Sequence, residues 1–167
     1  AMNRNKMRSL CICLILMNTA FIWGNSLLPG SVSGAISDEV MQMCKDVLEL
    51  ILSIFGEETV HPPGNGMLLL RKSAHFLEYL LLGLNWCWLF LVLGQRGIHR
   101  FTMPMLPAVL TAMADETIQL FSPGRASSLV DVWIDTAGLT LGILLILGGT
   151  IIKKQKTSNE NLEDKKL

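Results

Sequence analysis

From residue 9 to residue 37 the chain carries no charged side chain, 29 positions in succession. A helix crosses the hydrocarbon core of a bilayer with roughly 20 apolar residues, because it satisfies its backbone polar groups internally. A charge-free run of this length behind Arg4, Lys6 and Arg8 predicts a membrane helix over residues 9–28. A cleaved signal peptide is the competing reading, with Ser31, Val32 and Ser33 as a processing-like stretch, but the run is longer than a typical signal core. Ala1, ahead of Met2, is read as an added residue and plays no part.

Three further spans are predicted, over residues 67–94, 101–121 and 129–152. Pro104 and Pro107 then fall in the first two turns of the third span, where a missing amide donor costs least. Only 17% of the residues are charged, against about a quarter in an average soluble domain, and no large soluble domain fits between the spans. The expected class is an all-α integral membrane four-helix bundle, with residues 1–152 as one transmembrane domain and 153–167 as a polar cytoplasmic tail, disordered at its end. The 14 basic residues balance the 14 acidic ones, so nothing suggests a nucleic-acid partner.

Residues 37–56 read differently. Asp38, Gln42, Lys45, Asp46, Glu49 and Ser53 recur at helical spacing opposite Val40, Met43, Val47, Leu48, Ile51 and Phe55. This predicts an additional amphipathic helix, extracytoplasmic or interfacial, with Ser37 as N-cap and Gly56 at its end. Residues 57–66, with Pro62 and Pro63, read as a loop. With both termini cytoplasmic, ten basic residues (Arg4, Lys6, Arg8, Arg96, Arg100, Lys153, Lys154, Lys156, Lys165, Lys166) fall inside. Four, Lys45, Arg71, Lys72 and Arg125, fall outside or at the outer interface, as the positive-inside rule requires.

The spans carry more charge than a bilayer tolerates without compensation. Arg71, Lys72, His75, Glu78 and Tyr79 lie along one side of the second span. Asp115, Glu116 and Gln119 occupy an arc of about 100° on the third. Asp131 and Asp135 stand one turn apart on the fourth. Given the orientation, all three polar stretches fall in the outer half of the membrane. A charge at mid-span costs about 2.5–3.5 kcal/mol on insertion scales, so these groups must be paired, hydrated or neutralised. Arg71, Lys72 and Arg125 against Glu78, Asp115, Glu116, Asp131 and Asp135 leave an excess of two negative charges, to be balanced by shared protons, a cation or a cationic ligand group.

Two readings stay open. The network braces the helices, or it lines a functional cavity, and the insertion cost favours the cavity. Arg71 and Lys72 alone fit snorkelling at a helix end, and Arg125 fits a headgroup anchor. The candidate ligand-binding set is Lys72, His75, Glu78, Tyr79, Asp115, Glu116, Gln119, Arg125, Asp131 and Asp135. Gly138 and Gly142 share the face of Asp131 and Asp135 and suit close helix packing within the chain. Cys11, Cys13, Cys44 and Cys87 lack zinc-ribbon or redox spacing and read as small apolar residues. No phosphate loop, nucleophile elbow or zincin motif is present, so no cofactor, metal or catalytic residue is assigned.

The stretch K-S-A-H-F-L-E-Y-L-L-L-G at residues 72–83 and D-E-T-I-Q-L-F-S-P-G-R-A-S-S-L-V-D-V-W-I-D-T-A-G-L-T-L-G at residues 115–142 resemble the VanZ-like family of bacterial membrane proteins. Asn25, Ser26, Pro29 and Gly30 resemble its pattern after the first span. The resemblance implies a small inner-membrane protein whose name-giving relative is associated with resistance to the lipoglycopeptide teicoplanin. It carries the family's recurring positions onto His75, Tyr79, Glu116, Gln119, Gly124, Arg125 and Asp131. Asp135 departs from the pattern, standing where the family often has Asn and adding a carboxylate.

The leading functional expectation is a membrane protein that binds a lipid, a lipid-linked envelope precursor or a lipoglycopeptide at the outer leaflet. Arg125 and Lys72 would hold anionic groups, and Glu116, Asp131 and Gln119 would accept cationic or hydroxyl groups. The alternative is an intramembrane enzyme on an envelope lipid or precursor, with His75 or Glu116 as general base and Arg125 stabilising developing negative charge, or with His75, Glu78 and Asp115 or Glu116 around a divalent metal. A proton-coupled transporter ranks third, because the polar groups stop in the outer half.

Overall fold

A computed structural model describes residues 3–55, 66–125 and 127–163. These residues form five helices and no strand: α1 (Arg4–Leu27), α2 (Gly30–Phe55), α3 (Gly66–Val92), α4 (His99–Gln119) and α5 (Leu129–Glu163). Among them α1, α3 and α5 contain stretches long and apolar enough to cross a membrane. In α4 the prolines, threonines and the Asp115–Glu116 pair dilute the apolar residues, and by length and composition it is not one of the three.

α3 lies at the centre and touches each of the other four helices, most extensively α5. Glycines make that approach possible. A Cβ on Gly138 would run into the carbonyl oxygen of Phe76, one on Gly142 into that of Leu80, and one on Gly83 into that of Leu139. Backbone meets backbone there, so side-chain movement cannot make room. Tyr79, Leu82, Leu139 and Ile143 are sealed in this seam, and Cys11, Ile15 and Ile22 of α1 and Ala108 and Ala112 of α4 complete the core.

The buried residues of α4, Pro104, Ala108, Thr111, Ala112, Asp115, Glu116 and Gln119, follow one helical stripe, while Leu106, Leu110 and Met113 face outward. Polar groups point in and large apolar ones out. Pro104 cannot donate to the carbonyl of Arg100, and that oxygen instead accepts the Cys87 thiol at 3.9 Å. The helix starts at His99, two residues ahead of expectation, which puts Pro107 in its third turn. The α3–α4 connection is a Schellman closure. Gly94, at φ 88°, donates to Leu91 and Gln95 donates to Phe90, a conformation for which glycine carries no Cβ penalty.

Two boundaries correct the sequence reading. Ser37 is not an N-cap: α2 opens seven residues earlier, behind Pro29, whose carbonyl accepts the amides of Val32 and Ser33, and the Ser37 hydroxyl donates back to Ser33 within the helix. Only Leu28 and Pro29 separate α1 from α2, and Gly30 donates to Pro123 at 2.9 Å, tying this corner to the α4–α5 turn. At the other end, α5 continues through Lys153, Lys154 and Lys156 to Glu163. Lys153, Lys154, Gln155 and Lys156 have good helix propensity, and extending an existing helix costs far less than starting one. Gly56 and nearly all of the expected 57–66 loop lie outside the described residues, as do Lys165 and Lys166, while Gly66 opens α3.

Candidate functional site

The polar side chains of α3, α4 and α5 converge at one end of the helices, and the C-terminal turns of α1 join them. They fall into two groups with different chemistry.

The first group is engaged mainly in contacts within the protein. Lys72 pairs with Asp131, and both remain about a quarter exposed. Asp131 also stands in the first turn of α5, where a carboxylate is favoured by the helix dipole. Glu116 reaches from α4 to the start of the same helix. Its Oε2 accepts the Ser128 amide at 2.7 Å and the Ser127 hydroxyl at 2.9 Å, while Ser128 Oγ accepts the amide of Val130. Gln119 Nε2 lies 3.2–3.4 Å from Asp115 Oδ2, Glu116 Oε1 and Ser26 Oγ.

Arg125 closes the C-terminus of α1, donating from Nε to the Leu28 carbonyl at 3.0 Å and from Nη2 to the Asn25 carbonyl at 2.7 Å. The Asn25 carbonyl also accepts the Leu28 amide at 3.3 Å, and a cation beside carbonyls at a helix end complements the dipole. Partial burial, and then the neighbouring Arg71 guanidinium, lower the pKa of Arg125 from its ordinary value, with Asp115, Glu78 and Glu116 acting the other way. Ser122 donates to the Ser26 carbonyl at 2.6 Å, a second tie between the turn and α1.

The second group is unsaturated. Asp135 is wholly buried, and neither carboxylate oxygen has a hydrogen-bond partner. Asp115 is equally buried, with Oδ1 free, and the Tyr79 hydroxyl and Gln119 Oε1 are buried without partners. His75 Nδ1 also lacks one and stands 3.9 Å from Asp135 Oδ1, beyond hydrogen-bond length. Ligand atoms of His75, Asp115 and Asp135 all lie within 4.8 Å of one another.

Beside this group lies a partly open cavity of about 380 Å³. Phe21 of α1, Leu28 just beyond it, Ile36 and Val40 of α2 and Leu70 of α3 supply apolar wall; Asn25, Arg71, His75, Glu78 and Arg125 supply the polar end. Glu78 Oε1 accepts from Asn25 Nδ2 at 3.0 Å, and Asn18 donates to the Glu78 carbonyl at 3.4 Å.

All ten candidate residues are therefore near one another, but only His75, Glu78 and Arg125 line this cavity. The cavity lies between α1, α2 and α3 rather than between α3, α4 and α5, whose facing polar side chains are packed against one another. Sequence reasoning assigned no site role to Asn18, Asn25 or Ser26 and left Arg71 as a snorkelling residue. Asn18 and Asn25 are seven apart on one face of α1, a spacing that marks them in hindsight.

Neither a curated protein nor a solved structure matches the chain. The VanZ/LLP1 family model does, over residues 9–153, a stretch that takes in α1 beyond its first turn, all of α2, α3 and α4, and α5 through Lys153. That match runs through both polar groups and the cavity walls, and with its apolar helices the chain belongs to the VanZ/LLP1 family of membrane proteins.

Proposed function

We propose that this protein is a four-span component of the bacterial cell membrane that receives the polar head of an amphiphilic envelope molecule at the outer leaflet. The molecule is a lipid, a lipid-linked wall precursor or a lipoglycopeptide of the teicoplanin type. The observation that carries this reading is the cavity, which joins an apolar wall to a polar end bearing two guanidiniums, an imidazole and a carboxylate. An acyl chain fits the first and an anionic or zwitterionic head the second.

α4 is the fourth span in this reading, supported by its inward polar and outward apolar faces. Residues 1–152 form one transmembrane unit, and the basic residues favour cytoplasmic termini and a cytoplasmic tail over 153–167. α2 rests along the outer interface, an arrangement supported by the exposed stripe of Val32, Ile36, Val40, Met43 and Val47. Arg71, His75, Glu78 and Arg125 meet the ligand; Lys72, Glu116, Gln119 and Asp131 hold the helices that shape the site.

The test uses strains producing equal amounts of the wild-type chain, Arg71→Ala and Glu78→Gln, with teicoplanin susceptibility and co-purifying lipid as readouts. The expected outcome is a loss of severalfold in protection, in bound lipid, or in both, for each variant. Unchanged susceptibility and lipid content in both variants would reject the cavity as the binding site.

A further inference from the structure

We infer that His75, Asp115 and Asp135 form a binding site for one divalent transition-metal ion, of the zinc or manganese type, beside the cavity that His75 also lines. The inference rests on the buried polar group alone and does not require that the cavity bind an amphiphile.

Three observations carry it. The first is charge without compensation. Asp115 and Asp135 are both fully buried, and among the described residues no cation pairs with either: Lys72 is taken by Asp131, and Arg125 is spent on two backbone carbonyls. His75, which could supply a positive charge if protonated, stands 3.9 Å from Asp135, too far to donate to it. Buried carboxylates in this setting are neutralised by protons or by a cation.

The second is spacing. Two ligands each about 2.1 Å from one ion stand between about 3 and about 4.2 Å apart. The His75 Nδ1 to Asp135 Oδ1 distance of 3.9 Å lies inside that interval, and the 4.8 Å limit of the trio closes with a small side-chain rotation. A proton shared between two of these atoms would draw them to hydrogen-bond distance instead.

The third concerns unpartnered oxygens outside the trio. Gln119 is 1% exposed, its amide nitrogen is held by Asp115, and its Oε1 has no partner. The Tyr79 hydroxyl, one turn beyond His75 on the same face, is likewise buried and unpartnered. Unsatisfied oxygens beside a cluster of ligand atoms are what a metal's remaining coordination positions, or a metal-bound water, would use. One imidazole nitrogen with carboxylate and amide oxygens, and no thiolate, suits zinc or manganese better than calcium or magnesium. Because His75 also lines the cavity, the ion would face the space where a ligand head enters.

The full chain, purified in detergent and stripped with EDTA, is loaded separately with zinc chloride and manganese chloride, desalted and analysed for metal content. The wild type is expected to retain about one ion per chain of one of the two metals, and its thermal unfolding midpoint to rise on loading. Asp135→Asn, which keeps the side-chain volume and removes an unpartnered charge, is expected to fold and to bind that metal about tenfold more weakly or worse, with no rise in midpoint. Asp115→Asn serves as a second variant with the same expectation. A wild type that retains no ion and shows no shift with either metal overturns the inference, as does equal retention by the wild type and a folded variant. The readout is metal content and unfolding midpoint and measures no bound lipid, so failure here leaves the lipid measurement untouched, and the converse holds.

Discussion

Asp131 and Asp135 occupy one face of α5 a single turn apart, yet the protein treats them in opposite ways. Asp131 has a lysine partner, a helix N-terminus behind it and partial access to solvent. Asp135 has no solvent and no hydrogen-bond donor. The same division separates Glu116, whose carboxylate accepts bonds at both oxygens, from Asp115, one of whose oxygens has no partner. A membrane-embedded carboxylate costs about 2.5–3.5 kcal/mol on insertion scales, and the bracing residues offset that within the chain. The unsatisfied ones do not. A charge count alone therefore does not separate the two kinds of carboxylate; the partners each has after folding do.

The comparison can be broken or sharpened by substitution. The largest effect is expected from Gly138→Leu, which drives a side chain into the Phe76 carbonyl and forces α3 and α5 apart, so that both groups are lost together. A destabilisation of about 3 kcal/mol or more is expected, read as loss of a monodisperse, cooperatively melting protein. A stable Gly138→Leu protein would mean that the two helices do not meet as described. Next comes Lys72→Ala, which breaks a partly exposed pair and is expected to cost about 1 kcal/mol or less in thermal unfolding. Smallest, and opposite in sign, is Asp135→Asn measured in EDTA. It removes a buried charge that no donor satisfies, and is expected to leave stability unchanged or raise it by about 1 kcal/mol. A clear loss in EDTA would show that Asp135 braces the fold as Asp131 does, and the contrast would collapse.

Much of this arrangement was legible in the residues. Charge-free and apolar runs placed α1, α3 and α5, and separations of three and four put the ionisable residues of α3, α4 and α5 on single faces. Gly138 and Gly142 announced the tight seam. What escaped were features that carry no charge or act over long separations. Asn18, Asn25 and Ser26 interrupt α1 at too low an insertion cost to stand out, yet Asn25 holds Glu78 and Ser26 holds Gln119. The grip of Arg125 on Leu28 and Asn25 joins residues 97 and 100 positions apart, which no local pattern encodes. The opening of α2 at Gly30 rather than at Ser37 escaped as well; Gly30 meets Pro123 and Gly124, far along the chain. The cavity moved to the α1–α2 side for the same reason: its far walls are uncharged.

The proposed binding cavity opens to the exterior, with His75 of the buried polar cluster in its wall. Ala74 lines that cavity and Ala108 is sealed in the core, so each is replaced by cysteine in a chain whose native cysteines have been removed. A membrane-impermeant maleimide is then applied to intact cells stripped of their wall. The expected result is rapid labelling of Ala74→Cys and none of Ala108→Cys. Labelling of Ala74→Cys only after the membrane is permeabilised, or not at all, would contradict the account.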